Sequence, residues 1–338
     1  MILLFLSISK SFATNSSNLN TKSGIITLMY HRFDENKYPS TNIKNEIFKK
    51  HLEKINNLNI DFINFKNFKK VIKNNIDKNY LLLTIDDAFL SFYVNAWPVL
   101  KRKNIPFLLF VSTREVGKYG YMTWEQIKEI ESSGLGFIGN HSHSHDYLID
   151  WDNDKIKADL KKSIEIFEKE LGYSPEVFSY PFGEYSTNLK KIVSNLNFEF
   201  AFGQHSGVID STKDFLELPR FPINEKYGDL KRFQSILKTL PFPYKKITPE
   251  NRYLADEENP PKVKVEFFQN QKNIKNINCY SNEGNIWRKS EIKFISKTEI
   301  LIMLKEKFKS ERGRINCSLW EEKGKWRWLG IQYVIANY

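Results

Sequence analysis

Cysteine is scarce in this chain. Cys279 and Cys317 are the only two in 338 residues. Neither sits in a CxxC or beside a histidine, which excludes the usual thiolate metal centres. In an oxidising compartment the two can pair, and otherwise they stand as separate buried thiols; the sequence leaves both open. Long apolar runs are lacking too. The run Ile2–Ile8 is far shorter than the roughly 20 residues a membrane-spanning helix takes, and no later segment is apolar enough to span. No nucleic-acid-binding motif and no fixed-period repeat occurs.

What is present suits a folded protein with a sizeable core. Hydrophobic residues make up 41% and aromatics 14% of the chain, outside the range of disordered sequences. The length calls for one large domain plus a small one. Met1–Ala13, with its short apolar run and Ser11-Phe12-Ala13, reads as a signal peptide followed by a polar tail, although a basic start is missing. An exported protein, periplasmic or extracellular, is the expectation. The net charge of +11 is uneven, since 16 Lys/Arg stand against 8 Asp/Glu from Pro261 onward. Such a face can meet an acidic glycan or a membrane surface. A compositional bias towards lysine explains it equally well.

From Gly24 to about Leu240, short apolar runs alternate with amphipathic patterns. Strands are expected at Ile25–Met29, Phe62–Asn64, Tyr80–Ile85, Phe107–Val111, Leu135–Ile138, Val177–Tyr180 and Phe198–Phe202. Helices are expected at 44–57, 65–74, 89–103, 123–133, 153–171, 186–195 and 228–239, with a capping box at Thr123–Gln126 and a terminating Gly172. Strands alternating with helices imply an α/β fold with a parallel sheet. Seven units suffice for a barrel, whose chemistry would sit at the C-terminal strand ends; an open doubly wound sheet is the alternative. Residues 245–261 read as a linker. Beyond them, period-two alternation at Val263–Phe267, Glu291–Ser296, Glu299–Leu304, Arg314–Ser318 and Trp326–Val334 predicts a small all-β sandwich over 262–338.

Two clusters carry chemistry. Leu81–Ile85 runs straight into Asp86-Asp87, and two adjacent carboxylates at a buried strand end need partners. Their side chains point in different directions, so one can bind a cation while the other faces a substrate. Capping of the next helix is the competing reading. The second cluster, His141-Ser142-His143-Ser144-His145, follows the strand Leu135–Ile138. His141 and His145 are four apart, as metal-ligand pairs on one helical face are, while His143 points away. Imidazole nitrogens plus a carboxylate, with a position left open, are a common catalytic zinc set.

These motifs, with Phe178-Ser179-Tyr180-Pro181-Phe182-Gly183, resemble in order the T-F-D-D-G, H-[S/T]-x-x-H and F-R-x-P-[Y/F]-G motifs of NodB-like polysaccharide deacetylases (carbohydrate esterase family 4). The resemblance spans about Gly24 to Leu240. It implies a distorted (β/α)7 barrel over 24–244 that removes N-acetyl groups from an N-acetylated amino-sugar polymer with one divalent metal ion, often zinc. On that resemblance Asp87, His141 and His145 are metal ligands, Asp86 is the base that activates water, and the backbone N–H of Phe182 stabilises the oxyanion. The chemistry is coherent, because a metal both polarises a poor amide electrophile and lowers the pKa of water.

Three departures stand out. No histidine follows His205, so the family's late Leu-x-His is missing. Leu28-Met29-Tyr30-His31 instead resembles the permuted poly-N-acetylglucosamine deacetylases, which makes His31 the favoured general acid and His205 the alternative. Ser179 replaces an arginine that orients the aspartate, and Arg220, in Leu218–Pro222, offers a substitute guanidinium. Ala88 replaces a glycine. A non-catalytic glycan-binding protein on the same scaffold and a hydrolase of another amide are the rival readings. Trp287, Trp320, Trp326 and Trp328 can stack on sugars, but core packing is the favoured expectation for them.

Overall fold

The alternating pattern produces a curled parallel sheet with helices around it. The computed structural model describes residues 22–58, 60–74, 76–321 and 324–336; the expected signal peptide lies outside them. Strands β1 (Ile25–Tyr30), β2 (Tyr80–Ile85), β3 (Phe107–Val111), β4 (Gly136–Asn140), β5 (Val177–Ser179) and β6 (Phe200–Phe202) pair in parallel in that order. Strand β7 (Phe221–Pro222) lies parallel to β1 on its other side. The Leu218 amide donates to the Ala201 carbonyl and the Gly203 amide to the Leu218 carbonyl. The segment 218–222 therefore ties β6 to β1, and the sheet curls round on itself.

Every residue of β1 and β3 is buried, as expected of strands covered on both faces. The pleat sorts them by period two. Leu81, Leu83 and Ile85 join an outer cluster with Phe48, Ile127 and Phe233 from the helices. Leu82, Leu108, Phe110 and Phe202 form an inner cluster closed by Phe65 and Phe68 of a short helix. Thr84 and Asp86 continue the inner register of Leu82, so β2 delivers Asp86 inward.

The predicted capping box at Thr123 is formed, and Gly172 ends the long helix Asn153–Leu171 in the left-handed conformation. Three expectations shift. Phe62–Asn64 contributes only the two-residue strand Asp61–Phe62 beside β2, off the main path. The short β7, with too little apolar sequence to announce itself, lies beside β1 instead. The helix expected over 89–103 is helical from Leu90 but takes a π-helical turn over Phe92–Ala96 before the α-helix Trp97–Lys103, in whose first turn Pro98, with no N–H to give, is accommodated.

The 245–261 stretch, read as a linker, carries strands Lys246–Thr248 and Tyr253–Leu254, each built into one of two further sheets. The four-stranded sheet includes β8 (Val263–Glu266) and β10 (Glu299–Met303); the six-stranded one includes β9 (Asn278–Ser281), β11 (Arg312–Trp320) and β12 (Trp326–Ile335). Val263, Val265, Ile300 and Ile302 share one apolar cluster with Cys279, Ile315, Leu319 and Tyr333. The cysteines bond to one another across the β9–β11 pair.

Candidate active site and metal centre

The chemistry-bearing side chains gather where β1, β2, β4 and β5 end. Asp86 and Asp87 follow β2 directly, and Asp87 (φ 72°) and Ala88 (φ 54°) take left-handed backbone. That conformation explains a glycine preference at position 88; alanine bears a cost of about 1 kcal/mol there. The turn sends the two carboxylates apart, as expected.

Asp87 Oδ1 lies 3.1 Å from His145 Nε2 and 3.4 Å from His141 Nε2. One ligand atom from each of the three residues lies within 4.8 Å of the others. Bonds of about 2.0–2.1 Å to a tetrahedral ion put neighbouring ligand atoms roughly 3.4 Å apart, so the set fits one divalent metal. The histidine tautomer suits this as well. His141 Nδ1 donates to the Ser179 carbonyl at 2.7 Å, which leaves Nε2 free to face Asp87. Burial pushes the His141 pKa down to about 4, so its imidazole is neutral at physiological pH. His143 is not in the cluster; its ring bonds the Thr113 hydroxyl.

Asp86 is fully buried and gripped by Arg220, with Nη1 at 2.7 Å from Oδ1 and Nη2 at 2.9 Å from Oδ2. Burial raises the carboxyl's pKa, but the surrounding groups, the Arg220 guanidinium foremost, outweigh it and hold it below the usual carboxylate range. Ser179 does not merely vacate the arginine's place, because its hydroxyl accepts from Arg220 Nη2 at 2.9 Å. His31 Nε2 stands 3.9 Å from Asp86 Oδ2 at the mouth of the site. His205 is buried, its Nδ1 3.4 Å from the Tyr185 hydroxyl, and burial drops its pKa to about 4. Phe182 sits on a tight turn with φ 58°, its ring stacked on Tyr147 at 4.2 Å and edge-on to His145 at 4.8 Å.

A cleft of about 480 Å³ opens over these groups, and its lining includes His31, Asp87, His145 and Phe182. Its far wall carries Trp287, Arg312, Arg314 and Trp328 from the C-terminal sheets. Sequence reasoning missed that contribution, since nothing local marks a contact so distant along the chain. It missed Asp159 too, whose carboxylate accepts from the His143 and Ser144 amides and fixes the histidine loop. The signal was available, because Asp159 sits among Ile156, Leu160 and Ser163 on the buried helix face. Three of the four tryptophans are not core, Trp287, Trp320 and Trp326 being 48%, 46% and 39% exposed; Trp328 is half-buried and packs against the main apolar cluster, as expected. The apolar core of the β-unit is filled instead by aliphatic residues together with Phe242, Phe267, Phe308 and Tyr333.

A curled parallel sheet bearing an Asp–His–His centre beside an arginine-held aspartate defines a metal-binding site of the polysaccharide deacetylase kind. Residues 73–201 match the family model described as polysaccharide deacetylase, and over that stretch the chain is similar to the NodB-like deacetylases. The matched stretch holds Asp86, Asp87, His141, His145 and Phe182, and leaves out His31, His205 and Arg220. The chain is 24% identical over 174 residues to a poly-β-1,6-N-acetyl-D-glucosamine N-deacetylase of Staphylococcus aureus (strain MRSA252), covering 48% of this chain and 59% of the relative. It is 23% identical over 144 residues to the putative polysaccharide deacetylase YxkH of Bacillus subtilis (strain 168), covering 43% and 51%. The chain thus spans about half the length of these curated relatives. Among solved structures, IcaB from Ammonifex degensii superposes with a TM-score of 0.56 at 25% identity, over 63% of this chain and 97% of that one.

Proposed function

We propose that the chain is a metal-dependent hydrolase that removes N-acetyl groups from N-acetylglucosamine-type residues of a cell-surface or extracellular polysaccharide. One observation carries this reading: Asp87, His141 and His145 converge on a single point beside an ionised, arginine-held Asp86, inside an open cleft. The proposal includes a distorted (β/α)7 barrel over 24–244, a β-sandwich unit after it, and export from the cytoplasm. Among the described residues no helix is long and apolar enough to cross a membrane.

Asp87, His141 and His145 would hold the ion, zinc being the natural candidate for a nitrogen-and-oxygen donor set. When bound, it supplies Lewis acidity at the acetamide carbonyl and lowers the pKa of water. Asp86 takes the proton from the attacking water; Arg220 keeps it ionised and aimed. The Phe182 backbone N–H, on the turn beside His145, would donate to the developing oxyanion, a contribution of about 3 kcal/mol where such donors are well aligned. His31, at the cleft mouth within 3.9 Å of Asp86, returns a proton to the departing amine. His205 is the weaker choice, since a buried imidazole with a pKa near 4 carries no proton to give at neutral pH. The Arg220 contact with Asp86 supports the catalytic reading over a non-catalytic scaffold, since a guanidinium stands in for the absent family arginine.

Acetate release from chitin oligomers, poly-N-acetylglucosamine and peptidoglycan, with added zinc or cobalt, tests the reading. Asp86→Asn and His141→Ala should each lower the rate by roughly 10²-fold or more. Unchanged release in either variant would show that the roles are wrongly assigned.

A further inference from the structure

The wall that the C-terminal sheets add to the cleft is fixed to the barrel rather than leaning on it. The Gly330 amide of β12 donates to the Ser206 carbonyl at 2.7 Å. A Cβ at Gly330 would meet the Ser206 backbone at 2.4 Å, so only glycine allows this approach. Arg312 of β11 bonds Glu184 at 2.6 Å, Gln332 of β12 reaches the Gly183 carbonyl at 3.4 Å, and Trp328 packs edge-on against Phe221 of β7. These contacts hold β11 and β12 beside the Phe182 turn.

The charge of the cleft is lopsided. Asp87 is the single carboxylate among its lining residues, and it belongs to the metal centre; three arginines, Arg232, Arg312 and Arg314, line the same space. Arg312 is matched by Glu184 and Glu311. Among the described residues neither Arg232 nor Arg314 has an ion-pair partner. Arg232 spends its guanidinium on the Pro222 and Tyr227 carbonyls, and Arg314 reaches only the Gln332 side-chain oxygen, at 3.3 Å. Arg314 is exposed to the cleft, near the like charge of Arg312. An uncompensated guanidinium pair in a concave, partly desolvated space is strongly attractive to an anion. Trp287 and Trp328 flank it with aromatic faces of the kind that pack on sugar rings.

We infer that the C-terminal β-unit builds an anion-binding subsite, centred on Arg314 and supported by Arg232, that selects glycans bearing a carboxylate or phosphate close to the acetamide being cleaved. This rests on the proposed deacetylase reading and narrows it: the preferred polymer is acidic, not a neutral homopolymer. The metal centre handles the acetamide, and the β-unit reads its charged neighbour.

The test compares three oligosaccharides of equal length on the metal-loaded full chain: neutral β-1,6-linked N-acetylglucosamine, alternating glucuronate–N-acetylglucosamine, and a phosphate-bearing N-acetylglucosamine oligomer. At low salt, kcat/KM for one of the charged oligomers should exceed the neutral one by about tenfold or more, the scale of one charge-assisted hydrogen bond. Arg314→Gln should collapse that ratio, Arg314→Lys should keep part of it, and salt should weaken it in the wild type. The two charged oligomers separate carboxylate from phosphate. Equal efficiency on all three, or a charge preference that survives Arg314→Gln, overturns the subsite. If no oligomer releases acetate, the deacetylase reading fails instead, and calorimetric binding of the uncleaved oligomers decides the subsite alone. Tighter binding of a charged oligomer that is lost in Arg314→Gln upholds it, and equal or absent binding overturns it.

Discussion

Arg220 is the largest fully buried side chain among the described residues, and a buried guanidinium is costly unless each N–H finds a partner. Here all five do. Nε donates to the Gly203 carbonyl, Nη1 to Thr84 and Asp86, and Nη2 to Asp86 and Ser179. Lysine cannot copy this fork, since it carries three donors on one point charge. Arg220→Lys should therefore lower kcat by about 10²-fold through a misoriented base. The sign of the accompanying pH effect follows from Asp86. Arg220 helps hold that carboxyl below its ordinary range, so weakening the grip raises its pKa. The base is then lost by protonation at a higher pH, and the acid limb of the kcat/KM profile should move upward. A pH–rate profile of the variant checks this; an unmoved limb would mean that Arg220 is structural only. Arg220 was legible in the sequence because Ser179 left Asp86 without its expected partner. His31 was legible because it ends the first strand. The part played by the Ser179 hydroxyl was not, because it depends on where β7 places Arg220.

At the scale of elements, two features of the β-unit should be measurable. The bond between Cys279 and Cys317 closes a separation of 38 residues. In the chain-entropy account, its loss in Cys279→Ser with Cys317→Ser costs about 4 kcal/mol. Urea unfolding of the double variant under the same buffer checks the figure, and a loss below about 1 kcal/mol would count against a stabilising bridge. The second feature is the Glu184–Arg312 contact. Burial outweighs Arg312 and lifts the Glu184 pKa to about 7 from an ordinary 4.5. The folded state therefore holds a proton that the unfolded chain releases, and this contribution to stability is lost as pH rises between those values. From pH 5.5 to 8 the loss should be about 2 kcal/mol. Glu184→Gln, which cannot titrate, should flatten that part of the stability–pH curve. Strand placement in this unit followed from period-two alternation: β11 alternates in burial along its length. β12 is buried on nearly every residue after Trp328 because one face meets the β core and the other the barrel. No periodicity could have named that second face, and for the same reason the 245–261 strands were read as a linker.

At the scale of the whole molecule, the proposed metal centre joins parts of the chain that lie far apart in sequence. Asp87 comes from the turn after β2, and His141 and His145 from the loop after β4, so an ion held there ties two strand ends of the curled sheet together. The three donors were legible because their spacing follows the chemistry; the depth of the cleft above them was not, because about a third of its lining comes from the C-terminal unit, more than a hundred residues away. A ligand that binds only the folded state stabilises it by mass action, and free metal at a hundredfold excess over its Kd adds about 2.7 kcal/mol. Protein stripped by a chelator should therefore melt several degrees lower than metal-loaded protein, with deacetylation lost and then restored by zinc. The control is Asp87→Ala. Without its carboxylate the two histidines are too few to hold the ion tightly, so the melting temperature should no longer respond to metal even though the rest of the fold is unchanged. If the variant gains as much from zinc as the wild type does, the ion sits elsewhere and the three-residue centre is wrong.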